Sequence, residues 1–106
     1  MIGLALLYAV QAAAASGSVS VTILPSDYPV IARRNGWEGV VTAELTFDRK
    51  GYVSTCRILQ PSAYPVLNDA TCMVLAERAR FHPQGGKRLG GETVVRAPSV
   101  QWRLNP

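Results

Sequence analysis

The first 26 residues of the chain carry no charged side chain and no histidine. All eleven Lys and Arg residues and all seven Asp and Glu residues follow that point. A chain of 106 residues rarely leaves a quarter of its length uncharged unless that quarter meets a membrane. The charge distribution therefore divides the chain into an apolar leader and a body of about 80 residues, which is enough for one small domain.

The leader resembles a secretory signal peptide in composition. An apolar run from Met1 to Val10 precedes a stretch of alanines, and Ala13 and Ala15 fit the small-residue pattern before a cleavage site. We interpret residues 1–15 as a signal peptide cleaved after Ala15, and residues 16–26 as a linker. An uncleaved inner-membrane anchor is an alternative, although the run is shorter than the ~20 residues that span a bilayer as a helix. A truncated start is the third interpretation.

The composition of the body argues against several kinds of site. One histidine, His82, and two cysteines are too few for the usual four-ligand structural zinc site. The net charge of +4 comes from dispersed arginines, which favours acidic partners without implying nucleic acid. The glycine-rich loop at residues 85–91 lacks the Lys-Ser or Lys-Thr pair of a phosphate-binding loop. Because His82 has no second catalytic base, we expect a protein that is not an enzyme and that uses no metal or cofactor.

A short helix and two strands are predicted in the first half of the body. Asp27 can cap a helix that Gly36 ends, since glycine readily adopts the left-handed conformation. Apolar and polar residues then alternate from Val41 to Phe47, which is the period of a strand with one buried face. A turn at residues 48–51 leads to a second strand, Tyr52 to Leu59.

A longer helix and a last strand are predicted in the second half. Apolar residues with helical spacing run from Leu67 to Phe81, and His82-Pro83 stops the helix. The last strand runs from Thr93 to Leu104. Pro98 lies within it and cannot donate a ladder hydrogen bond, so one edge is expected to be free at that point. The residues predicted to share one face of this strand are Val94, Val100, Trp102 and Leu104. The order helix, strand, strand, helix, strand predicts a two-layer α+β domain.

The motifs of the body follow one another as in the TonB carboxy-terminal domain family. In chain order they are Tyr28-Pro29, Glu38-Gly39-Val40-Val41, Phe47-Asp48, Gly51-Tyr52-Val53, Leu67-Asn68-Asp69-Ala70, Arg80-Phe81-His82-Pro83 and Val100-Gln101-Trp102-Arg103-Leu104. We therefore assign residues 27–106 to a domain that resembles this family. The resemblance implies two helices packed on a three-stranded antiparallel sheet, in the periplasm.

The resemblance also implies a partner. Proteins of this family bind the TonB box, a short peptide of outer-membrane transporters, alongside the last strand, and pass on energy from a proton-driven inner-membrane complex. An edge strand can bind such a peptide because its unpaired N–H and C=O groups bond an extended chain. On this basis the expected partner-binding residues are Tyr28, Pro29, Val94, Arg96, Pro98, Val100 and Trp102.

The leader modifies the expected function. The family's transducers also carry a full membrane helix and a long proline-rich spacer, and residues 1–26 show neither pattern. We therefore expect a periplasmic binding module linked to TonB-dependent transport, with membrane contact only through residues 1–15 if they stay uncleaved. The alternative hypothesis is a self-associating structural module of the cell envelope, a homodimer in which the last strand pairs with a second copy.

The two cysteines are predicted to form a disulfide bond. Cys56 lies on the second strand and Cys72 on the helix expected to cover it, and an exported chain meets an oxidising compartment. Such a bond would stabilise the fold by about 3 kcal/mol in the chain-entropy treatment. Two buried thiols and a redox-active pair are the alternatives.

Overall fold

The computed structural model describes residues 17–86 and 90–104, with the side chains of residues 86 and 96–98 left out. Within this part of the chain lie five strands and two α-helices. The strands are β1 (Gly17–Ser20), β2 (Gly39–Phe47), β3 (Val53–Gln60), β4 (Arg80–Pro83) and β5 (Thr93–Trp102). The helices are α1 (Val30–Asn35) and α2 (Pro65–Arg78), and short 3-10 turns lie at Pro25–Asp27 and Gln84–Gly86.

The strands form two antiparallel sheets. The larger sheet has the order β3-β2-β5, and the smaller sheet pairs β1 with β4. In the larger sheet Leu45 of β2 lies opposite Cys56 on one side and Val95 on the other. The predicted α+β class, with two helices and antiparallel pairing, is confirmed. The predicted architecture of one three-stranded sheet is wrong, because β1 and β4 form a second sheet.

The core lies between the larger sheet and α2, which packs on β3 and β2. Alternate residues from Val41 to Phe47 point into it and are fully buried, as the period-two pattern predicts. From α2 the buried residues are Leu67, Thr71, Val74 and Leu75. Each large apolar side chain buried in this way contributes about 1.5–3 kcal/mol to folding.

The helix α1 begins at Val30, and Gly36 ends it with a φ of 68°, as predicted. Pro29 occupies the position before Val30, and no side chain caps the helix. The predicted capping role of Asp27 is wrong, because its carboxylate bonds Arg78 instead.

The smaller sheet consists of β1, which lies in the predicted linker, and β4, which lies at the predicted end of the second helix. In β1, Val19 lies opposite Phe81 of β4, and both side chains are buried. The alternation of serine and valine over residues 18–21 is the signal that could have revealed β1. The predicted helix end at Phe81 is wrong: α2 ends at Arg78, and the N–H of Phe81 donates to the carbonyl of Gly51 at 2.9 Å. This contact favours an extended backbone over a further helical turn.

A bulge interrupts β5. Thr42 of β2 lies opposite Ser99, whereas Glu44 lies opposite Arg96, so residues 97–98 of β5 face a single residue of β2. An extra residue in one strand reverses the side-chain alternation beyond it.

The bulge changes which side chains of β5 face the core. Val94 and Trp102 are predicted to share one face, but the structure buries Val95, Val100 and Trp102 and leaves Val94 49% exposed. A strict period of two cannot describe a strand with an inserted residue. The predicted common face is therefore wrong for Val94.

Candidate functional site

The candidate site lies at the outer edge of β5. This strand pairs with β2 on one side, and no strand in residues 17–86 and 90–104 pairs with its other side. The unpaired N–H and C=O groups of such an edge can bond an extended polypeptide. The predicted last strand, with one edge available, therefore exists in the described chain.

A groove of about 690 Å³ opens beside the carboxyl-terminal end of β5. Its lining consists of residues 23–26, Tyr28, Arg33 and residues 101–104. Apolar side chains predominate in it, including Ile23 and Leu24. The groove thus joins residues 23–33 to the segment at the end of β5, which lies far away in the sequence.

Tyr28 and Trp102 are the two buried residues of the groove lining. Their rings meet edge to face, with centroids 5.4 Å apart. The indole Nε1–H of Trp102 donates to Oγ1 of Thr71 at 2.8 Å, and the hydroxyl of Tyr28 donates to the carbonyl of Trp37. Burial raises the pKa of Tyr28, and the negative charge of Glu38 raises this pKa further. The aromatic pair is therefore fixed by hydrogen bonds on both sides.

Thr71 is a positioning residue that the sequence analysis missed. Its side chain is 1% exposed, and its hydroxyl donates to the carbonyl of Leu67 at 2.8 Å while accepting from Trp102. The sequence alone does not show whether a threonine among apolar helix residues is buried in the core or lies at the edge of the apolar face. Its partner lies on another element, 31 residues away.

An ion pair attaches the amino-terminal groove segment to α2. Oδ1 of Asp27 accepts a hydrogen bond from Nη2 of Arg78 at 2.8 Å, and Oδ2 accepts one from the Leu24 N–H at 2.7 Å. Arg78 also donates to the carbonyl of Thr22 at 3.2 Å. The bonds from Arg78 are the largest cause that lowers the pKa of Asp27. This pairing fixes the segment that lines the groove.

Two arginines give the groove a positive charge. Nη2 of Arg33 donates to the carbonyl of Pro25 at 2.8 Å, which connects α1 to the 3-10 turn. Arg103 follows the end of β5 and is exposed. The described residues that line the groove include no Asp or Glu. The groove therefore combines an apolar lining with basic groups.

The other predicted partner-binding residues lie in different environments. Val94 is exposed near the start of β5, whereas the groove lies at the end of that strand. Val100 is 2% exposed, so its side chain belongs to the core and only its backbone is available to a partner. Pro29 is half-buried before α1. The side chains of Arg96 and Pro98 lie outside the described residues.

The structure joins Cys56 to Cys72 by a disulfide bond, as the sequence analysis predicts. Their Cα atoms are 5.7 Å apart, and the bond connects β3 to α2. His82, predicted to stop the helix, belongs to β4, where its Nε2 lies 2.8 Å from Oγ of Ser20 on β1. Within the described chain, no group of three His, Cys, Asp or Glu residues could hold a metal ion.

Residues 1–15, the predicted signal peptide, lie outside the described residues. Among the helices of residues 17–86 and 90–104, none is long and apolar enough to cross a membrane.

One family model matches the chain. It describes the carboxy-terminal domain of the Gram-negative bacterial TonB protein and matches residues 25–103. This segment contains both helices, the larger sheet and most of the groove lining, but not Ile23, Leu24 or Leu104. Comparisons with curated proteins and with solved structures find no match. Since the family model covers well over half of the sequence, the chain belongs to the TonB carboxy-terminal domain family.

Proposed function

We propose that this protein is a periplasmic, non-enzymatic TonB-like module that binds extended peptide segments of outer-membrane transporters by adding them as a strand to β5. Membership of the family links the domain to TonB-dependent transport at the cell envelope. The observation that carries the proposal is the outer edge of β5, with which no strand in residues 17–86 and 90–104 pairs, beside an apolar groove.

The edge and the groove supply different parts of recognition. Backbone hydrogen bonds along an edge strand give affinity for any extended chain, whereas a pocket beside the edge selects among side chains. A peptide strand along β5 presents alternate side chains to each face of the sheet. Near residues 101–104, the peptide side chains on one of these faces would contact the groove.

The bulge at residues 97–98 supports a short peptide rather than a long second sheet as the occupant. A bulge twists the strand and interrupts a regular ladder, a device that limits uncontrolled edge pairing. Proline at position 98 removes one further donor. Self-association through β5 is the alternative, and the experiment below distinguishes it from peptide binding.

Export by a cleaved signal peptide is consistent with the position of β1. Cleavage after Ala15 would leave Gly17, the first residue of β1, in the mature chain. The buried Val19 would thus be retained. The intact mass of the protein recovered from the periplasm tests this cleavage site, and a mass that includes residues 1–15 would contradict it.

Amide chemical shifts provide the test of peptide binding. We expect peptides from the amino-terminal segments of TonB-dependent transporters to shift the amides of β5 and of residues 23–26. The amides of β3, on the opposite edge of the sheet, serve as the internal control. Shifts confined to the helices, with β5 unchanged, would contradict strand addition. Sedimentation at several protein concentrations identifies a dimer that hides β5.

A further inference from the structure

A basic surface lies at the end of the domain opposite the groove. Arg49 and Lys50 are the exposed residues of the turn between β2 and β3, and Arg80 begins β4. The guanidinium group of Arg80 lies over the ring of Tyr52, with its Cζ atom 4.4 Å from the ring centroid. The Tyr52 side chain is itself 48% exposed. These four residues form the basic end, which presents three cations and one aromatic ring.

Backbone contacts hold the turn directly against β4. Arg80 has a pairing partner on each side, Ser20 of β1 and Tyr52. The N–H of Phe81 donates to the carbonyl of Gly51 at 2.9 Å. Gly51 has a φ of 88°, and a Cβ atom at this position would lie 2.6 Å from the carbonyl oxygen of Phe81. The basic groups of the turn and of β4 are therefore fixed side by side.

The cations of the basic end form no ion pair within residues 17–86 and 90–104. Arg80 donates from Nη1 to a backbone carbonyl, so most of its five N–H donors remain available. Two carboxylates lie at this end of the sheet. Oδ1 of Asp48 accepts the N–H groups of Lys50 and Tyr52 at 2.8 and 3.0 Å. Glu92, which precedes β5, is exposed. The cations thus outnumber the carboxylates, one of which is bonded within the turn.

The chain enters the described structure at the same end of the domain. Gly17, the first residue of β1, lies opposite Pro83 of β4, and Phe81 of that strand contacts the turn. Residues 1–16 precede Gly17 and carry no charged side chain. A chain held in a bilayer by residues 1–15 would have its basic end nearest to the lipid headgroups. A chain without those residues would present the same cations.

We infer that the basic end docks on an anionic phospholipid surface, with its cations on the lipid phosphates and the Tyr52 ring among the headgroups. Arginine forms charge-assisted hydrogen bonds to phosphate oxygens, and tyrosine favours the boundary between lipid and water. Each basic residue close to an anionic surface strengthens binding about 5-fold. This surface adds a membrane contact to the one expected of residues 1–15, and it does not depend on strand addition to β5.

Docking through the basic end would leave the groove accessible. Phe47, the last residue of β2, precedes the basic turn, whereas Gly39 at the start of β2 pairs with Trp102 in the groove. A strand of nine residues extends about 27 Å from its first Cα atom to its last. The membrane-facing surface and the groove therefore lie at opposite ends of β2, and one domain can use both at once.

Sedimentation with lipid vesicles tests the docking. The full chain is mixed with vesicles of phosphatidylcholine alone or of phosphatidylcholine with phosphatidylglycerol. We expect about 10-fold or stronger partitioning into the anionic vesicles at low ionic strength. The preference should shrink in high salt, because exposed charges are screened. Equal partitioning into the two kinds of vesicle would overturn the inference.

Matched variants test whether the basic end is the surface that binds. Arg49→Gln should lower partitioning into anionic vesicles about 3- to 5-fold, and its combination with Lys50→Gln about 10- to 25-fold. Both side chains are exposed, so the variants should keep the Tm of the native protein. Arg34→Gln removes the same charge from an exposed position of α1 and should leave partitioning nearly unchanged. Equal losses in the Arg34 and Arg49 variants would overturn the assignment, because net charge would then control binding.

Amide signals identify the contact and distinguish a bilayer from free phosphate. Anionic bicelles should weaken the amide signals of residues 48–52 and 80–83 and leave those of residues 101–104 unchanged. Weakening at residues 101–104 alone would overturn docking through the basic end. Glycerophosphoglycerol, the soluble headgroup, should not perturb these amides at the same phosphate concentration, and an equal perturbation would overturn the bilayer as the occupant. No peptide is present, so failure of docking leaves strand addition to β5 in place, and the reverse also holds.

Discussion

The hydrogen bond between Thr71 and Trp102 connects the hydrophobic core to the groove, and its removal gives a quantitative test. Thr71→Val keeps the side-chain shape but leaves the indole N–H of Trp102 without an acceptor in a site where the ring is 2% exposed. A buried donor without a partner costs about 1–3 kcal/mol. The carbonyl of Leu67 loses the threonine hydroxyl but stays inside α2, where the helical ladder supplies a donor.

We therefore expect Thr71→Val to lower the free energy of unfolding by about 1–2 kcal/mol. For a domain of this size the Tm should fall by roughly 5–10 °C. Urea denaturation followed by tryptophan fluorescence measures the change, and an unaltered m-value shows that only stability is affected. Thr46→Val, a half-buried threonine of β2, is the matched control.

A double-mutant cycle identifies the cause of the loss. In a Trp102→Phe background the indole N–H no longer exists, so Thr71→Val should cost less than about 0.5 kcal/mol there. A full cost in both backgrounds would refute the argument, because the loss would then arise from packing around Thr71. An unchanged stability of Thr71→Val in the native background would refute it as well.

Three further predictions concern the disulfide bond, the ion pair and the groove. Replacing Cys56 and Cys72 together by alanine should lower the free energy of unfolding by about 3 kcal/mol in urea denaturation. The pKa of Asp27 is lowered in the folded protein. Its ionised carboxylate therefore stabilises the fold above the unfolded pKa, and this stabilisation is lost as the pH falls through the folded pKa. Asp27→Asn should reduce the fall in Tm on acidification. Leu24→Ala should weaken peptide binding by about 5-fold in calorimetry, because it removes apolar surface from the groove.

Each of these predictions has a control in the chain. Reduction of the native protein should reproduce the stability of the double alanine variant, and a larger effect of reduction would contradict the assignment. Asp69→Asn, on the exposed face of α2, should leave the pH profile unchanged. Met73→Ala removes a 65% exposed apolar side chain outside the groove and should leave peptide affinity unchanged. Equal effects of Leu24→Ala and Met73→Ala would argue against the groove as the binding site.

The sequence predicts the elements whose signals are local. The alternation from Val41 to Phe47 identifies β2 because one face of that strand is buried along its whole length. Gly36 marks the end of α1 because the closing residue has positive φ. Cys56 and Cys72 lie on a strand and on the helix that covers it, and this placement favours their pairing.

The features that the sequence analysis missed depend on distant partners. β1 is only four residues long, and its pairing with β4 joins segments at least 60 residues apart. Asp27 is a residue type that often caps helices, but its carboxylate accepts a hydrogen bond from Arg78, which is distant in the sequence. The bulge in β5 reverses an alternation that the sequence shows as continuous. In each case a tertiary contact overrides a local preference.

Under the proposed function, the edge of β5 and the groove contribute differently to specificity. An edge strand recognises backbone, so the side chains of β5 that face the core, such as Val100, cannot distinguish one extended peptide from another. Under the proposed function, discrimination comes from side chains that line the groove, which in the described chain include residues 23–26, Arg33 and Arg103. Because the Asp27–Arg78 pair fixes this segment to α2, the proposed selectivity would depend on contacts far from β5 in the sequence. Exchanging residues 23–26 should therefore change which peptide is preferred while strand addition to β5 persists.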